Sequence, residues 1–226
     1  MQINNLNYCF PKAATNTLKN ITMSINKGEY LSIVGTSGSG KSTLLSILGL
    51  INQPSSGEYL ILGRNTTNLT NKSISLIKNN EIGFIFQNFN LLNQFSVYDN
   101  VALPLSYNPA IKRNEYKEKV ISALSLVNMS NFQDRMPGQL SGGQQQRIAI
   151  ARALVNSPSI ILADEPTGNL DSENSRQVFE LIKKLNKTGI TICLITHDIN
   201  YAEQADTVFE MQDGELTAKK NTLSEV

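Results

Sequence analysis

Gly35-Thr36-Ser37-Gly38-Ser39-Gly40-Lys41-Ser42 places glycines, hydroxyls and a lysine in the G-x-x-x-x-G-K-[ST] spacing. Glycines let such a backbone curl until successive N–H groups point inward at an anion, and the helix that follows adds the positive end of its dipole. That is chemistry for a nucleoside triphosphate and its metal. Lys41 is expected to reach the β- and γ-phosphates, and the Ser42 hydroxyl to bind Mg²⁺. The loop alone suits a kinase, a GTPase or a helicase equally well. A plain Gly/Ser linker would rarely stand between an apolar strand and an apolar helix, as this segment does.

Ile160-Ile161-Leu162-Ala163-Asp164-Glu165 is an apolar run that ends in two carboxylates. Side chains alternate along a strand, so the two cannot do the same job. Asp164 is expected to hold the magnesium hydration shell. Glu165 is expected to polarise a water for attack on the γ-phosphate, a general-base role worth about 10²–10⁴-fold.

These residues need elements to position them. Glu29–Val34 reads as a strand that feeds the glycine loop, with a helix from Lys41 to about Ile51. Pro54–Gly57 is turn chemistry, and Glu58–Leu62 after it reads as a strand. Ile82–Phe86, Ile160–Ala163, Ile190–Thr196 and Thr207–Met211 are further apolar runs of strand length. Val178, Leu181, Ile182 and Leu185 lie at i, i+3, i+4, i+7 within Ser172–Thr188, an amphipathic helix. Between Asn88 and Asn156 helical patterning takes over, as in Val120, Leu124 and Val127 and again in Ile148, Ala151 and Val155. Strands alternating with helices favour a mainly parallel sheet, so an α/β fold interrupted by a helical segment is expected. The tail from Thr217 onward is polar and reads as frayed.

Composition narrows the partners. With 226 residues, 40% hydrophobic and 17% charged, the chain can bury a sizeable core. Its formal net charge of +1 gives no pointer to a nucleic-acid partner. No segment has the pattern of a signal peptide. The longest apolar-looking run, Leu44–Ile51, is far short of the roughly 20 residues a spanning helix needs. A role at a membrane would therefore come through a partner. Cys9 and Cys193 lack metal-ligand spacing, and Cys193 reads as a small core residue, which together suggest a reducing compartment.

Leu140-Ser141-Gly142-Gly143-Gln144, followed by Gln145-Gln146-Arg147, resembles the LSGGQ signature of ABC ATPases. Further elements stand in that family's order. Gln87 follows Ile82–Phe86 where the Q-loop glutamine lies, and Asp164-Glu165 matches Walker B. Asn169-Leu170-Asp171 matches the D-loop, and His197, the only histidine, follows Ile190–Thr196 as the switch histidine does. Gly168-Asn169-Leu170-Asp171 and Phe86–Leu92 look like the macrolide-efflux and lipoprotein-release branch.

The resemblance spans essentially the whole chain. It implies a P-loop NTPase (RecA-like) core with an N-terminal antiparallel β-region, about 1–87 and 157–226, and an inserted α-helical subdomain, about 88–156. It implies an ATP-hydrolysing subunit that uses Mg²⁺ and pairs head to tail. Each ATP would be held by Gly35–Thr43 of one copy (Gly35, Thr36, Ser37, Gly38, Ser39, Gly40, Lys41, Ser42 and Thr43) and by Ser141, Gly142, Gly143 and Gln144 of the other, with Asp171 beside them. Glu165, His197, Lys41 and Gln87 would serve catalysis, and Gln87 would join Ser42 and Asp164 at the metal. Adenine would stack on Phe10, with Tyr8 as second choice; either ring could instead be a strand or core aromatic.

The resemblance also implies an integral-membrane permease partner, with or without an adaptor on the far side. The chain would then sit in the cytoplasm, peripheral on the inner face of the membrane. Export or release of a lipophilic or peptide-like cargo is the expected use, and a cell-division complex is the alternative. Asn88–Leu105, with Phe89, Leu91, Leu92, Phe95 and Val97, is either the permease docking surface or core.

Overall fold

The computed structural model describes residues 1–11 and 15–219. In chain order the elements are β1 (Gln2–Tyr8), β2 (Leu18–Ser24), β3 (Tyr30–Val34), α1 (Lys41–Leu48), β4 (Ser56–Ile61), β5 (Arg64–Asn65), α2 (Asn71–Glu81) and β6 (Ile82–Phe86). Then come α3 (Val97–Ala102), α4 (Tyr116–Leu126), α5 (Gly142–Leu154), β7 (Ile160–Asp164), α6 (Ser172–Lys187), β8 (Thr191–Ile195), α7 (Ile199–Ala202), β9 (Thr207–Gln212) and β10 (Glu215–Lys219). Two compact units divide them: Met1–Ser75 with Thr191–Val226, and Leu76–Ile190.

In the first unit β2, β1, β4 and β5 form an antiparallel sheet in that order. β3 pairs in parallel with β8 on one side and β9 on the other, and β10 returns antiparallel along β9. Every residue of β3 and of β8 is buried. Such runs are what a strand covered on both faces requires, and they place the glycine loop directly beyond the carboxyl end of β3. Cys193 lies in β8, where burial pushes its thiol up to about 12. It is a core residue and no nucleophile at neutral pH.

The expectation of a frayed tail from Thr217 needs correction. Thr217, Ala218 and Lys219 pair with Glu210, Phe209 and Val208 as part of β10. The remainder of that tail, residues 220–226, lies outside the described residues.

In the second unit β6 and β7 run parallel, in register from Ile82–Ile160 to Phe86–Asp164. That register brings the residue before Gln87 level with Asp164. α5 packs on β6 and on α3 and α4. Short 3-10 helices stand between the helices, including Leu103–Tyr107, Arg113–Glu115 and Pro137–Gln139. The stripe read on α6 is buried as a unit: Val178, Leu181, Ile182 and Leu185 all face inward. Among the described residues no helix is long and apolar enough to cross a membrane.

Candidate nucleotide-binding site

The loop between β3 and α1 is shaped by its glycines. A Cβ on Gly35 would run into the carbonyl oxygen of Met211, so no larger residue fits there without moving backbone. Gly40 caps α1 with φ 110°, a conformation that disfavours side chains. The Lys41 ammonium folds back to donate to the carbonyl oxygens of Gly35 at 2.8 Å and Thr36 at 2.7 Å, and the side chain is only 9% exposed. Thr36, Ser37, Gly38 and Ser42 are exposed, and Thr43 is half-buried in the first turn of α1. Ser39 is buried, and its hydroxyl has no hydrogen-bond partner among the described residues.

Two other predicted residues belong to the same unit. His197 is exposed in the turn between β8 and α7. That turn is fixed on both flanks. The Thr196 N–H donates to Ile33 O at 3.3 Å and the Asp198 N–H to Thr196 Oγ1 at 3.0 Å, while Asp198 caps α7. Phe10 is 44% exposed and stands edge-on to Tyr8, ring centroids 5.0 Å apart at 81°, whereas Tyr8 is buried. Phe10 therefore has the free ring face of the two.

The second unit collects the other candidates. Asp164 ends β7, and Glu165 follows with φ 46°, turning the chain out of the strand. The Gly168 N–H closes that turn on Glu165 O at 3.0 Å. Gln87 meets the same turn, because its side-chain amide donates to Asn169 Oδ1 at 3.2 Å.

Ser141 caps α5 and Gln144 completes a capping box. The Gln144 N–H donates to Ser141 Oγ at 3.3 Å and the Ser141 N–H to Gln144 Oε1 at 3.0 Å. The helix therefore begins with Ser141 exposed and the first N–H groups of Gly142 and Gly143 unused by the helix itself. Gly143 has no room for a Cβ, which would strike the Asn174 carboxamide, and Asn174 is held by Asp171 at 2.7–2.8 Å. Those bonds to Asn174 hold the Asp171 carboxyl below its ordinary range. The signature turn and the D-loop thus share one packed corner.

Several positioning residues escaped the sequence reading. Arg152 donates to Phe89 O at 2.7 Å and Asn90 O at 2.5 Å, holding two consecutive residues with positive φ; burial lowers its guanidinium pKa. Asn100, fully buried, accepts from Leu92 N and donates to Leu92 O, Phe95 O and Ser96 O. Gln146 donates to Pro166 O at 2.6 Å. The only hint for these was a polar residue on the apolar face of a helix. Val97 is core and Phe95 is exposed, while Phe89, Leu91 and Leu92 are half-buried, so the segment after Gln87 divides between core and surface.

The donors suit a magnesium-bound triphosphate. A buried hydroxyl without a partner, an ammonium resting on carbonyls and glycine-only backbone are groups that phosphate oxygens would satisfy. Among the described residues no three His, Cys, Asp or Glu side chains converge into a metal cage. Magnesium needs none, since one or two protein oxygen ligands, substrate phosphates and waters complete its shell.

Comparison with known proteins identifies the family. The ABC transporter family model matches residues 18–168. The macrolide export ATP-binding/permease protein MacB of Chlorobium luteolum is 44% identical over 207 residues, 92% of this chain and 31% of that protein. MacB 1 of Aeromonas hydrophila is 45% identical over 203 residues, 90% of this chain and 31% of that protein. The chain thus spans about a third of the length of these curated relatives. The dimeric structure of MJ0796, a bacterial ABC transporter cassette, superposes with TM-score 0.87 at 40% identity, covering 97% of this chain and 98% of that one. A post-hydrolysis dimer of the same cassette bound to ADP and Pi gives TM-score 0.87 at 39% identity over the same shares. With its P-loop NTPase fold and these likenesses, the chain belongs to the ABC transporter family as an ATP-binding, ATP-hydrolysing domain.

Proposed function

We propose that two copies pair head to tail on ATP, with Mg²⁺, and drive a membrane permease. Gly35–Thr43 of one copy cradles the phosphates, and Ser141–Gln144 of the other supplies its hydroxyl and helix N-terminus to the γ-phosphate. Lys41 neutralises the β- and γ-oxygens, Ser42, Asp164 and Gln87 hold the metal, and Phe10 stacks on adenine. Glu165 takes a proton from the attacking water, His197 helps to position that water against the γ-phosphate, and Asp171 lines the pair. When bound, magnesium offsets phosphate charge. The observation that carries this reading is the likeness, along 97% of the chain, to cassettes solved as dimers.

Residues 88–156 form the helical subdomain in this reading. Phe95, Tyr98, Asp99, Leu103, Arg113 and Tyr116 line an open cleft of about 620 Å³ there, which suits a docking permease helix. The chain then works in the cytoplasm on the inner membrane face, through its permease, with or without an adaptor. Relatives named for macrolide export favour export of a lipophilic or peptide-like cargo over a cell-division role.

Ser141→Arg tests the pairing. It leaves the Gly35–Thr43 loop and its ATP affinity nearly unchanged, yet phosphate release falls by about 10²-fold, the cost of losing a transition-state donor. An unchanged release rate would mean that one chain completes its own site.

A further inference from the structure

Gln87 and Asn169 hold each other in both directions. Gln87 Nε2 donates to Asn169 Oδ1 at 3.2 Å, and Asn169 Nδ2 donates to Gln87 O at 3.2 Å and to Asn88 Oδ1 at 2.8 Å. Gly168 lies so close that a Cβ there would come within 2.7 Å of Gln87 Nε2. A carboxamide donates at one end and accepts at the other, and Asn169 Oδ1 can accept only from the Gln87 nitrogen. The Gln87 amide is therefore committed with its nitrogen on the 165–170 turn and Oε1 directed elsewhere.

We propose that Asn169 is a positioning residue that presents Gln87 Oε1 as a magnesium ligand and ties that ligand to the turn beginning at Glu165. The oxygen is the only atom of the side chain able to bind a hard cation. Both residues are exposed, so either alone would exchange rotamers freely in water. The Asn169 carboxamide is fixed by the two bonds it donates, to Gln87 O and Asn88 Oδ1, and through the one it accepts it restrains the Gln87 side chain. The ligand oxygen and the turn carrying Glu165 then move as one body. The proposal rests on the reading of Gln87 as a metal ligand.

ATP affinity measured by titration, once with excess Mg²⁺ and once with EDTA, separates the possibilities without recourse to activity. In Asn169→Ala the strengthening of ATP binding by Mg²⁺ falls about tenfold, the low end for loss of an outer-shell partner. Affinity in EDTA stays at the unmutated value. Gln87→Ala shows the same loss, and the double variant loses no more than either single. Equal weakening with and without Mg²⁺ in Asn169→Ala, or effects that multiply in the double variant, would overturn the proposal. A full Mg²⁺ effect in Gln87→Ala would remove the metal role of Gln87 and the proposal with it. A full effect in Asn169→Ala alone would remove only the positioning role.

Discussion

Glu165→Gln is expected to slow phosphate release about 10²–10⁴-fold while ATP binding stays intact, the loss typical of a removed general base. The change keeps size and shape, and the local frame is set by main-chain pairing. β7 still ends at Asp164 opposite Phe86, and the Gly168 N–H still closes the turn on the residue-165 carbonyl. What is lost is the carboxylate's charge and with it the capacity to accept a proton. Single-turnover phosphate release beside an ATP titration measures both halves. An equal fall in binding and hydrolysis would move Glu165 from proton transfer to substrate binding.

Lys41→Ala is expected to weaken ATP binding by about 10²-fold, since a hydrogen bond to a charged group contributes about 1.5–3 kcal/mol. Two causes add. The phosphates lose their cation, and the carbonyls of Gly35 and Thr36 lose the ammonium that now closes the loop. Lys41→Arg is expected to rescue little, because a planar guanidinium does not fit where a compact ammonium at the end of a buried stem is held. Calorimetric titration with ATP checks both variants, and wild-type affinity in Lys41→Ala would exclude the lysine from phosphate binding.

Much of the frame was legible because burial imposed a pattern. β3, β6, β7 and β8 are continuous apolar runs, and such runs announce strands covered on both faces. α6 was plain from its stripe. β1 and β2 were not found by pattern, and register explains why. The pairing of β1 with β2 shifts between Ile3 and Leu6 and again between Leu6 and Tyr8, and Asn5 has φ 47°. The buried positions Ile3, Leu6 and Tyr8 consequently break strict alternation. β10 is an edge strand with almost every side chain in solvent, so its backbone pairs without leaving a hydropathy trace.

Gly35–Ser42, Asp164 and Glu165 are legible from spacing, and Gln87, Ser141–Gln144, Asp171, His197 and Phe10 only through the family resemblance, whereas Arg152, Asn100, Gln146 and Asn169 work through backbone carbonyls and side-chain amides. Partners of that kind are fixed only by tertiary placement, which no local motif encodes.

Size-exclusion chromatography of the Glu165→Gln chain with ATP, ADP or no nucleotide tests the composite site most directly. Elution as a dimer with ATP and as a monomer with ADP is the predicted result, because the pair closes on a γ-phosphate that this variant cannot remove. A monomer at saturating ATP, or a dimer indifferent to the γ-phosphate, would contradict a site shared between two copies.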